Sequence, residues 1–221
     1  MDILYEDDAL LFVNKPPNIV VQRGYDRDEP VLLEQAIAYA GHLFLMQRLD
    51  RGTSGVMFFS RSADINARLT RYFETRQIHK TYLALCEGEL AEGQTIDAPL
   101  ARIGPISFGV RDHGKRAVTV VRPKRATTHG SLLSIELRTG RTHQIRAHLA
   151  AIGHPLVGDW LYGERNAARP MLHAAELAMP HPLTNALLRV SAPPPDDFRD
   201  AAAERGIVSR GEDILTAPES S

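Results

Sequence analysis

The chain has 221 residues, of which 43% are apolar and 24% are charged, and its formal net charge is −1. This composition is ordinary for a globular protein, no apolar run reaches membrane-spanning length, and the N-terminus lacks the layout of a signal peptide. The lone Cys86 excludes an internal disulfide. We therefore expect a cytoplasmic protein without a membrane segment.

Short strands and helices alternate along the chain without internal repeats. The predicted strands are short apolar runs, and they cover residues 3–5, 10–14, 56–59, 81–86, 117–121, 132–137 and 187–190. The predicted helices cover residues 31–39, 63–76, 142–152 and 196–205. This succession predicts the α+β class, with a mixed, mostly antiparallel β-sheet and peripheral helices.

The helix predicted over residues 63–76 has a clear start and a clear apolar face. Ser62 is its predicted cap, because a serine hydroxyl can accept a hydrogen bond from a free backbone N–H of the first turn. The residues expected to be buried share one helical face: Ile65, Leu69, Tyr72 and Phe73.

Residues 47–55 place one carboxylate between two arginines, just before a Gly/Ser/Thr turn. Asp50 stands between Arg48 and Arg51, and guanidinium groups so close favour an ionised aspartate. An ionised aspartate suits a nucleophile or an electrostatic anchor better than a general acid. The structural alternative is an aspartate that only hydrogen-bonds its own turn.

Residues 137–149 form the second informative segment. Thr142 is the predicted N-cap of a helix that ends at Gly153. The apolar residues on one face of this helix are Ile145, Leu149 and Ile152. Arg146 adjoins that face, so its guanidinium is expected to be partly buried and to need an anionic partner. We predict that Asp50 is this partner.

Seven short motifs, in order along the chain, carry a resemblance to a known family. They lie at residues 13–17, 48–50, 78–85, 114–119, 140–148, 153–159 and 172–174. With them the chain resembles the RluA-type pseudouridine synthases, which isomerise uridine in RNA. The resemblance implies the pseudouridine synthase fold, with a central active-site cleft. It also implies a catalytic domain over residues 1–198, a partly mobile C-terminal extension over 199–221, and no N-terminal RNA-binding module.

The resemblance assigns roles to individual residues. Asp50 matches the catalytic carboxylate, acting on the anomeric carbon or as a base on the sugar, and Arg146 would keep it ionised. Tyr82 matches the active-site tyrosine, which would stack on the displaced uracil; a core aromatic on a strand is the structural alternative. The reaction needs no cofactor, and the histidine spacing does not predict a metal site.

The resemblance also suggests which residues contact the substrate. Arg48 matches an arginine that occupies the space left by the flipped base, although a surface salt bridge would also explain it. Leu172 matches an apolar position lining the uracil pocket, which core packing explains almost as well. The expected RNA contacts are Lys80, Lys115, Arg116 and Arg141.

Charge is segregated along the chain in a way that favours an RNA partner. Residues 102–146 carry ten Lys/Arg and two Asp/Glu, whereas residues 191–221 carry three and seven. A solvated face is the alternative for such a basic block, but here it contains the helix assigned to the active site. We expect a tRNA or rRNA stem-loop as the substrate, a monomer, and no obligatory protein partner.

One residue departs from the family pattern. The family usually has His before the Arg-Leu-Asp motif, and this chain has Gln47. This departure favours an alternative in which the protein binds or folds RNA without turnover. A further alternative is a carboxylate hydrolase that uses Asp50 with a second acid, Glu136 or Asp159.

Overall fold

A computed structural model of the chain describes residues 1–24, 29–212 and 214. The chain divides into two compact units. Unit 1 comprises Met1–Lys80 and Ala174–Pro193, and unit 2 comprises Thr81–His173 and the chain from Pro194 onward. Among the described residues, no helix is long and apolar enough to cross a membrane.

Unit 1 is built on antiparallel strands with helices attached. Its elements are β1 (Asp2–Glu6), β2 (Leu10–Lys15), α1 (Leu32–Ala40), β3 (Phe44–Leu45), β4 (Ser54–Ser60), a 3-10 turn (Ala63–Ile65), α2 (Asn66–Glu74), the start of β5 (His79–Cys86), most of β11 (Leu172–Pro180) and β12 (Leu187–Ser191). The strand order is β1-β2-β4-β11, with β3 paired to β4 and β12 paired to β11.

The core of unit 1 forms where α2 packs on the sheet. Leu69 and Tyr72 of α2 are buried against the same cluster as Phe12 of β2 and Phe58 of β4. The Phe12 and Phe58 rings stack with their centroids 5.2 Å apart, and Phe73 stacks on Phe58 at 6.2 Å. The predicted buried face of this helix is therefore confirmed, with Phe73 only partly buried.

Strand β4 approaches a neighbouring backbone so closely that one position must be glycine. Gly55 has a φ of 111°, and a Cβ there would lie 2.1 Å from the carbonyl oxygen of Ala174. Any side chain would collide with backbone that is itself part of the sheet. The Gly55 of the Gly/Ser/Thr turn is thus a requirement of strand packing.

Unit 2 holds a second set of antiparallel strands and the other two helices of the described chain. Its elements are the remainder of β5, β6 (Gln94–Asp97), β7 (Leu100–Arg102), β8 (Phe108–Val110), β9 (Val118–Thr127), β10 (Gly130–Leu137), α3 (Gln144–Ala151), the first two residues of β11 and α4 (Asp196–Glu204). The strand order is β5-β10-β9-β6, and β7 and β8 form a separate hairpin.

The α+β class with a mostly antiparallel sheet is confirmed, since each of the strand ladders described for both units is antiparallel. The predicted strands and helices are present, with ends that differ by a few residues. Strands β3, β6, β7, β8 and β11 were not predicted. Strand β9 continues to Thr127, where the prediction ends at residue 121. The predicted boundary after residue 198 falls within α4, and residues 213 and 215–221 of the predicted extension lie outside the described residues.

Candidate active site

The turn that carries Asp50 is tied to the end of β2. Thr53 N donates to Asp50 O at 3.0 Å, and the carbonyl oxygen of Arg51 accepts from Asn18 N at 2.9 Å. The same carbonyl accepts from Nζ of Lys15 at 3.1 Å, although Lys15 is fully buried. A buried ammonium that donates to turn carbonyls gives this turn a fixed position, with the Asp50 side chain half-buried.

The residues before Asp50 differ in exposure. Arg48 is exposed and has no carboxylate partner among the described residues, so these residues provide no surface salt bridge to account for it. Gln47 is 9% exposed, and its amide nitrogen and oxygen have no hydrogen-bond partner in the part of the chain that the structure describes. Arg51 pairs instead with Glu29.

Lys80 lies at the start of β5 in an unusual setting for an ammonium group. Its Nζ is 5.1 Å from the centroid of the Phe73 ring, a cation–π contact within unit 1. Burial lowers the pKa of Lys80 to about 8. Lys80 is therefore a cation near neutral pH that becomes neutral in moderately alkaline solution.

Arg146 makes a buried bidentate ion pair in unit 2. Its Nε and one terminal nitrogen donate to the two carboxylate oxygens of Asp159, both at 2.7 Å. The guanidinium also lies over the Tyr162 ring, 5.1 Å from its centroid. The predicted burial of Arg146 is confirmed, at 6% exposed, and Asp159 is an anionic partner that the sequence did not assign to it.

A hydrogen-bond network holds α3, and therefore Arg146, against β9. Gln144 Nε2 donates to Thr119 Oγ1 at 3.0 Å, and Gln144 Oε1 accepts from Thr139 Oγ1 at 2.8 Å. His148 Nε2 lies 2.9 Å from the carbonyl oxygen of Ala98, which can only accept, so this nitrogen carries the proton. His148 Nδ1 then accepts from Thr119 Oγ1 at 2.8 Å. Burial lowers the pKa of His148, in agreement with a neutral ring.

The start of α3 differs from the prediction. His143, not Thr142, is the N-cap; it has a left-handed backbone with φ of 55°, and its side chain does not cap the helix. Its ring nitrogen Nδ1 lies 3.0 Å from the Tyr162 hydroxyl, and that hydroxyl accepts from Phe108 N at 2.8 Å. The Thr142 prediction was wrong because this chain reverses sharply at His143, and Gln144 caps the preceding turn by accepting from Arg141 N at 3.0 Å.

Tyr82 and Leu172 are both buried in the described structure. Tyr82 is 6% exposed and lies on β5 opposite Ile135 of β10. Leu172 is 4% exposed, and its carbonyl oxygen accepts from Arg169, whose guanidinium makes a bidentate pair with Asp197 of α4. Helix α4 therefore helps to fix the backbone at Leu172.

The predicted RNA contacts of unit 2 lie on an exposed basic surface. Lys115, Arg116 and Arg141 are all exposed. Arg116 makes an exposed pair with Asp97 at 3.1 Å, and Arg141 Nε donates to the backbone oxygen of Arg116 at 3.1 Å. Surface pairs of this kind contribute little to stability, so these cations remain available to a polyanion.

The predicted site residues therefore fall in both units. Unit 1 holds Arg48, Asp50 and Lys80, and unit 2 holds Tyr82, Lys115, Arg116, Arg141, Arg146 and Leu172. Sequence reasoning missed Asp159 as a partner of Arg146, and it missed Tyr162; the pairing of Arg146 with Asp50 stays a prediction. The available signal was the motif at residues 153–159. It ends in Gly158-Asp159, and Asp159 stands only eight residues after the last residue of α3.

The chain matches one protein family over most of its length. The model of the RNA pseudouridylate synthase family matches residues 9–151. This range includes Asp50, Tyr82 and Arg146, whereas Leu172 lies beyond it.

Similar proteins carry the same family name. The chain is 34% identical to ribosomal large subunit pseudouridine synthase D of Xanthomonas campestris over 223 residues, which cover 90% of the chain and 67% of the relative. It is 37% identical over 216 residues to an uncharacterized RNA pseudouridine synthase of Bacillus subtilis, covering 90% of the chain and 70% of that protein. The chain thus spans about two thirds of the length of these relatives.

Two solved structures have a similar fold. Human RNA pseudouridylate synthase domain containing 4 has a TM-score of 0.77, at 23% identity, with 93% of each chain covered, and this similarity concerns the fold alone. Human RNA pseudouridylate synthase domain containing 1 has a TM-score of 0.72 at 28% identity, covering 87% of this chain and 82% of the human one. The chain therefore belongs to the RNA pseudouridylate synthase family, whose members are RNA isomerases.

Proposed function

We propose that the protein converts specific uridines of an RNA to pseudouridine, with Asp50 as the catalytic carboxylate. The observation that carries this proposal is the family match over residues 9–151, which includes the Asp50 turn. The reaction breaks the bond from the sugar to nitrogen 1 of uracil and makes a bond to carbon 5. Nitrogen 1 gains a proton and carbon 5 loses one, so the balance requires no redox partner.

Asp50 and Arg146 have complementary roles in this proposal. Asp50 acts on the sugar, as a nucleophile at the anomeric carbon or as a base, and Arg146 keeps the carboxylate ionised. The fixed turn around Asp50 and the anchoring of Arg146 by Asp159 support these roles, since the Asp50 backbone and the Arg146 guanidinium are already held in place before the substrate binds.

Tyr82 and Leu172 would receive the uracil. In this proposal the Tyr82 ring stacks on the displaced base, and its hydroxyl helps to remove the proton from carbon 5. Leu172 contributes an apolar wall. Both side chains are nearly buried, which suits a pocket that excludes water from the reaction.

Arg48 would stabilise the RNA after the base has left its stack. Base extrusion costs a few kcal/mol, and a planar cation can stack on the remaining bases and contact phosphates. The exposure of Arg48, without a carboxylate partner among the described residues, supports this role. Lys80, Lys115, Arg116 and Arg141 would bind the phosphate backbone.

The substrate class proposed is a structured tRNA or rRNA stem-loop. Several relatives are named as ribosomal large subunit pseudouridine synthase D, which favours rRNA. We further propose that residues 1–198 act as one catalytic domain, and that the protein works in the cytoplasm as a monomer without an obligatory protein partner or a cofactor. Turnover by the purified monomer, without added protein or cofactor, would test the monomeric state and the independence from a partner and from a cofactor.

Gln47 favours a second candidate function, RNA binding without turnover. Its buried amide has no partner among the described residues, so the chain does not replace the hydrogen bonding that a histidine would bring there. The hydrolase alternative is weakened, because both oxygens of Asp159 accept from Arg146 and Glu136 pairs with Arg122 and Arg138.

Release of tritium from RNA labelled at carbon 5 of uridine separates these functions. The synthase proposal predicts release that Asp50→Asn abolishes while RNA binding persists. Binding without release by the wild-type protein would support the second candidate. Arg146→Lys keeps a charge but loses the bidentate geometry, and we expect it to lose most of the activity as well.

A further inference from the structure

The loop after α3 holds an exposed tryptophan between two residues that contact Arg146. Asp159 pairs with the Arg146 guanidinium, and Tyr162 lies beneath it. Between them, Trp160 is 47% exposed. It is the only tryptophan of the chain. An exposed indole offers an apolar ring face on which another flat ring can stack.

A cation already lies over one face of the exposed ring. The guanidinium carbon of Arg165 lies 5.4 Å from the centroid of the Trp160 ring. Arg165 is exposed and has no carboxylate partner in the described parts of the chain, although Glu164 precedes it in sequence. The two side chains thus offer an aromatic surface and an unpaired positive charge together.

The loop is closed by its own hydrogen bonds, which hold this pair in place. The Asn166 side chain accepts from Gly158 N at 2.8 Å and donates to Glu87 Oε1 at 2.7 Å. Gly158 has a φ of 74°, and a Cβ there would lie 2.2 Å from the carbonyl oxygen of Arg169. A closed loop presents its exposed side chains at little further entropic cost.

Trp160 is close to Arg146, which is proposed to keep Asp50 ionised. Consecutive Cα atoms are about 3.8 Å apart, so the Trp160 Cα lies within about 10 Å of the Arg146 guanidinium through the Asp159 carboxylate. The hairpin of β7 and β8 adjoins the same loop, because Phe108 N donates to the Tyr162 hydroxyl. That hairpin region adds Arg102 and Arg111, both exposed and without carboxylate partners among the described residues.

We propose that Trp160 and Arg165 form a stacking platform for an unpaired nucleobase of the substrate RNA, beside the uridine that reacts. This inference rests on the proposed function for the identity of the polymer. The base would stack on the exposed part of the indole, and Arg165 would contact the adjoining phosphate. A base–aromatic stack of this kind tolerates any base, so it adds affinity and orientation rather than sequence readout.

Because Trp160 is the only tryptophan, its fluorescence reports on this platform directly. A 12-nucleotide oligouridylate should quench the emission of the intact protein, whereas inorganic polyphosphate, which has charge but no bases, should leave it nearly unchanged. Equal quenching by both would overturn the proposal, because it would reduce the effect to charge. No quenching at saturating oligouridylate would also overturn it.

Substitutions measure the contribution to affinity. In anisotropy titrations with labelled oligouridylate, Trp160→Ala should weaken binding roughly 5- to 100-fold, and Trp160→Phe should lose clearly less. The matched control is Tyr39→Ala, which removes another exposed aromatic, 54% exposed, on α1 of unit 1 and should have no effect. Similar affinities for Trp160→Ala and the control would contradict the platform.

The tritium assay separates this inference from the proposed function. Tritium release without quenching would refute the platform and leave the synthase activity standing. Quenching without release would leave the platform standing and refute the activity. Thermal melts of each variant show that it is folded, and Trp160→Phe provides a conservative second variant if Trp160→Ala does not fold.

Discussion

At the scale of single residues, buried charges stand out in both units. Lys15 is fully buried, and its Nζ donates to the carbonyl oxygens of Pro16 and Arg51, which fixes the Asp50 turn. Arg146 is nearly buried and its charge is matched by both oxygens of Asp159. Each buried charge is costly unless it is paired or hydrogen-bonded, so these side chains hold their neighbours in one arrangement.

The Arg146–Asp159 pair should contribute to stability as a unit. Asp159→Asn leaves the guanidinium buried without a full counter-charge, and we expect a loss of about 3 to 5 kcal/mol in the free energy of unfolding. Urea unfolding measures this loss, and the tritium assay should show reduced turnover. Asp196→Asn is the control, because its pair with Arg199 is exposed and should contribute less than about 1 kcal/mol. Equal losses for both variants would contradict the anchoring role.

Lys80 should make stability rise with pH in the alkaline range. Its pKa is about 8 in the folded protein and 10.5 in an unfolded chain, so between these values the unfolded state binds more protons. Stability therefore increases as pH rises from 8 to 10.5, and Lys80→Met should remove this increase. For a partly buried group we expect roughly 1 kcal/mol between pH 8 and 10. If the free energy of unfolding changes with pH in the same way for the wild type and for Lys80→Met, the burial of Lys80 is contradicted.

At the scale of elements, two side chains of α3 hold the helix against β9. Gln144 and His148 lie one turn apart, and both bond to Thr119. Arg146 stands between them in sequence, so the network fixes the helix that carries it. Strand β4 is fixed differently, by backbone approach at Gly55.

The neutral state of His148 makes the anchoring of α3 sensitive to acid. Its pKa is lowered in the folded protein from an ordinary 6.5, so the unfolded state takes up the proton first. The stability that depends on neutral His148 is present above pH 6.5 and is lost as pH falls below it. The difference in unfolding free energy between wild type and His148→Gln should shrink toward pH 5. The exposed His129→Gln is the control, and the same trend in that variant would point to another group.

Gly55→Ala should be far more damaging than a glycine substitution elsewhere. Its Cβ would meet the Ala174 carbonyl, so we expect the variant to lose more than about 3 kcal/mol or to fail to fold. Gly41 has a φ of 79° with no atom within 4 Å of an added Cβ. Gly41→Ala therefore measures backbone strain alone, about 1 kcal/mol. Similar costs at the two positions would show that the close approach at Gly55 is unimportant.

At the scale of the whole molecule, the sequence predicted local features better than it predicted contacts between distant residues. The apolar spacing of residues 63–76 predicted the buried face of α2, and the position of Arg146 beside the apolar face of α3 predicted its burial. The Asp159 partner was missed because the identity of an ion-pair partner depends on how a distant loop folds back. The N-cap at His143 was missed because histidine lacks the hydroxyl or carboxylate by which N-caps are recognised in a sequence. Its left-handed backbone also has no signal in the sequence.

The charge distribution of the molecule should make RNA binding depend on salt. Within residues 102–146, four exposed cations have no carboxylate partner in the described parts of the chain: Arg102, Arg111, Lys115 and Arg141. If each neutralises one phosphate of a single strand, the logarithm of the binding constant should fall with the logarithm of salt concentration with a slope of about −3. Lys115→Gln should reduce this slope by about 0.7. A binding constant that does not change between 50 and 200 mM salt, roughly the range in which such contacts weaken, would exclude these cations as the docking surface.

Pseudouridine mapping of RNA from living cells tests the Asp50-dependent synthase activity most directly. Total RNA is compared among cells with the gene, cells without it, and deleted cells that express either the wild-type protein or Asp50→Asn. We predict that at least one pseudouridine disappears on deletion, returns with the wild-type protein and does not return with Asp50→Asn. An identical map in all four strains, or restoration by Asp50→Asn, would contradict the proposed function.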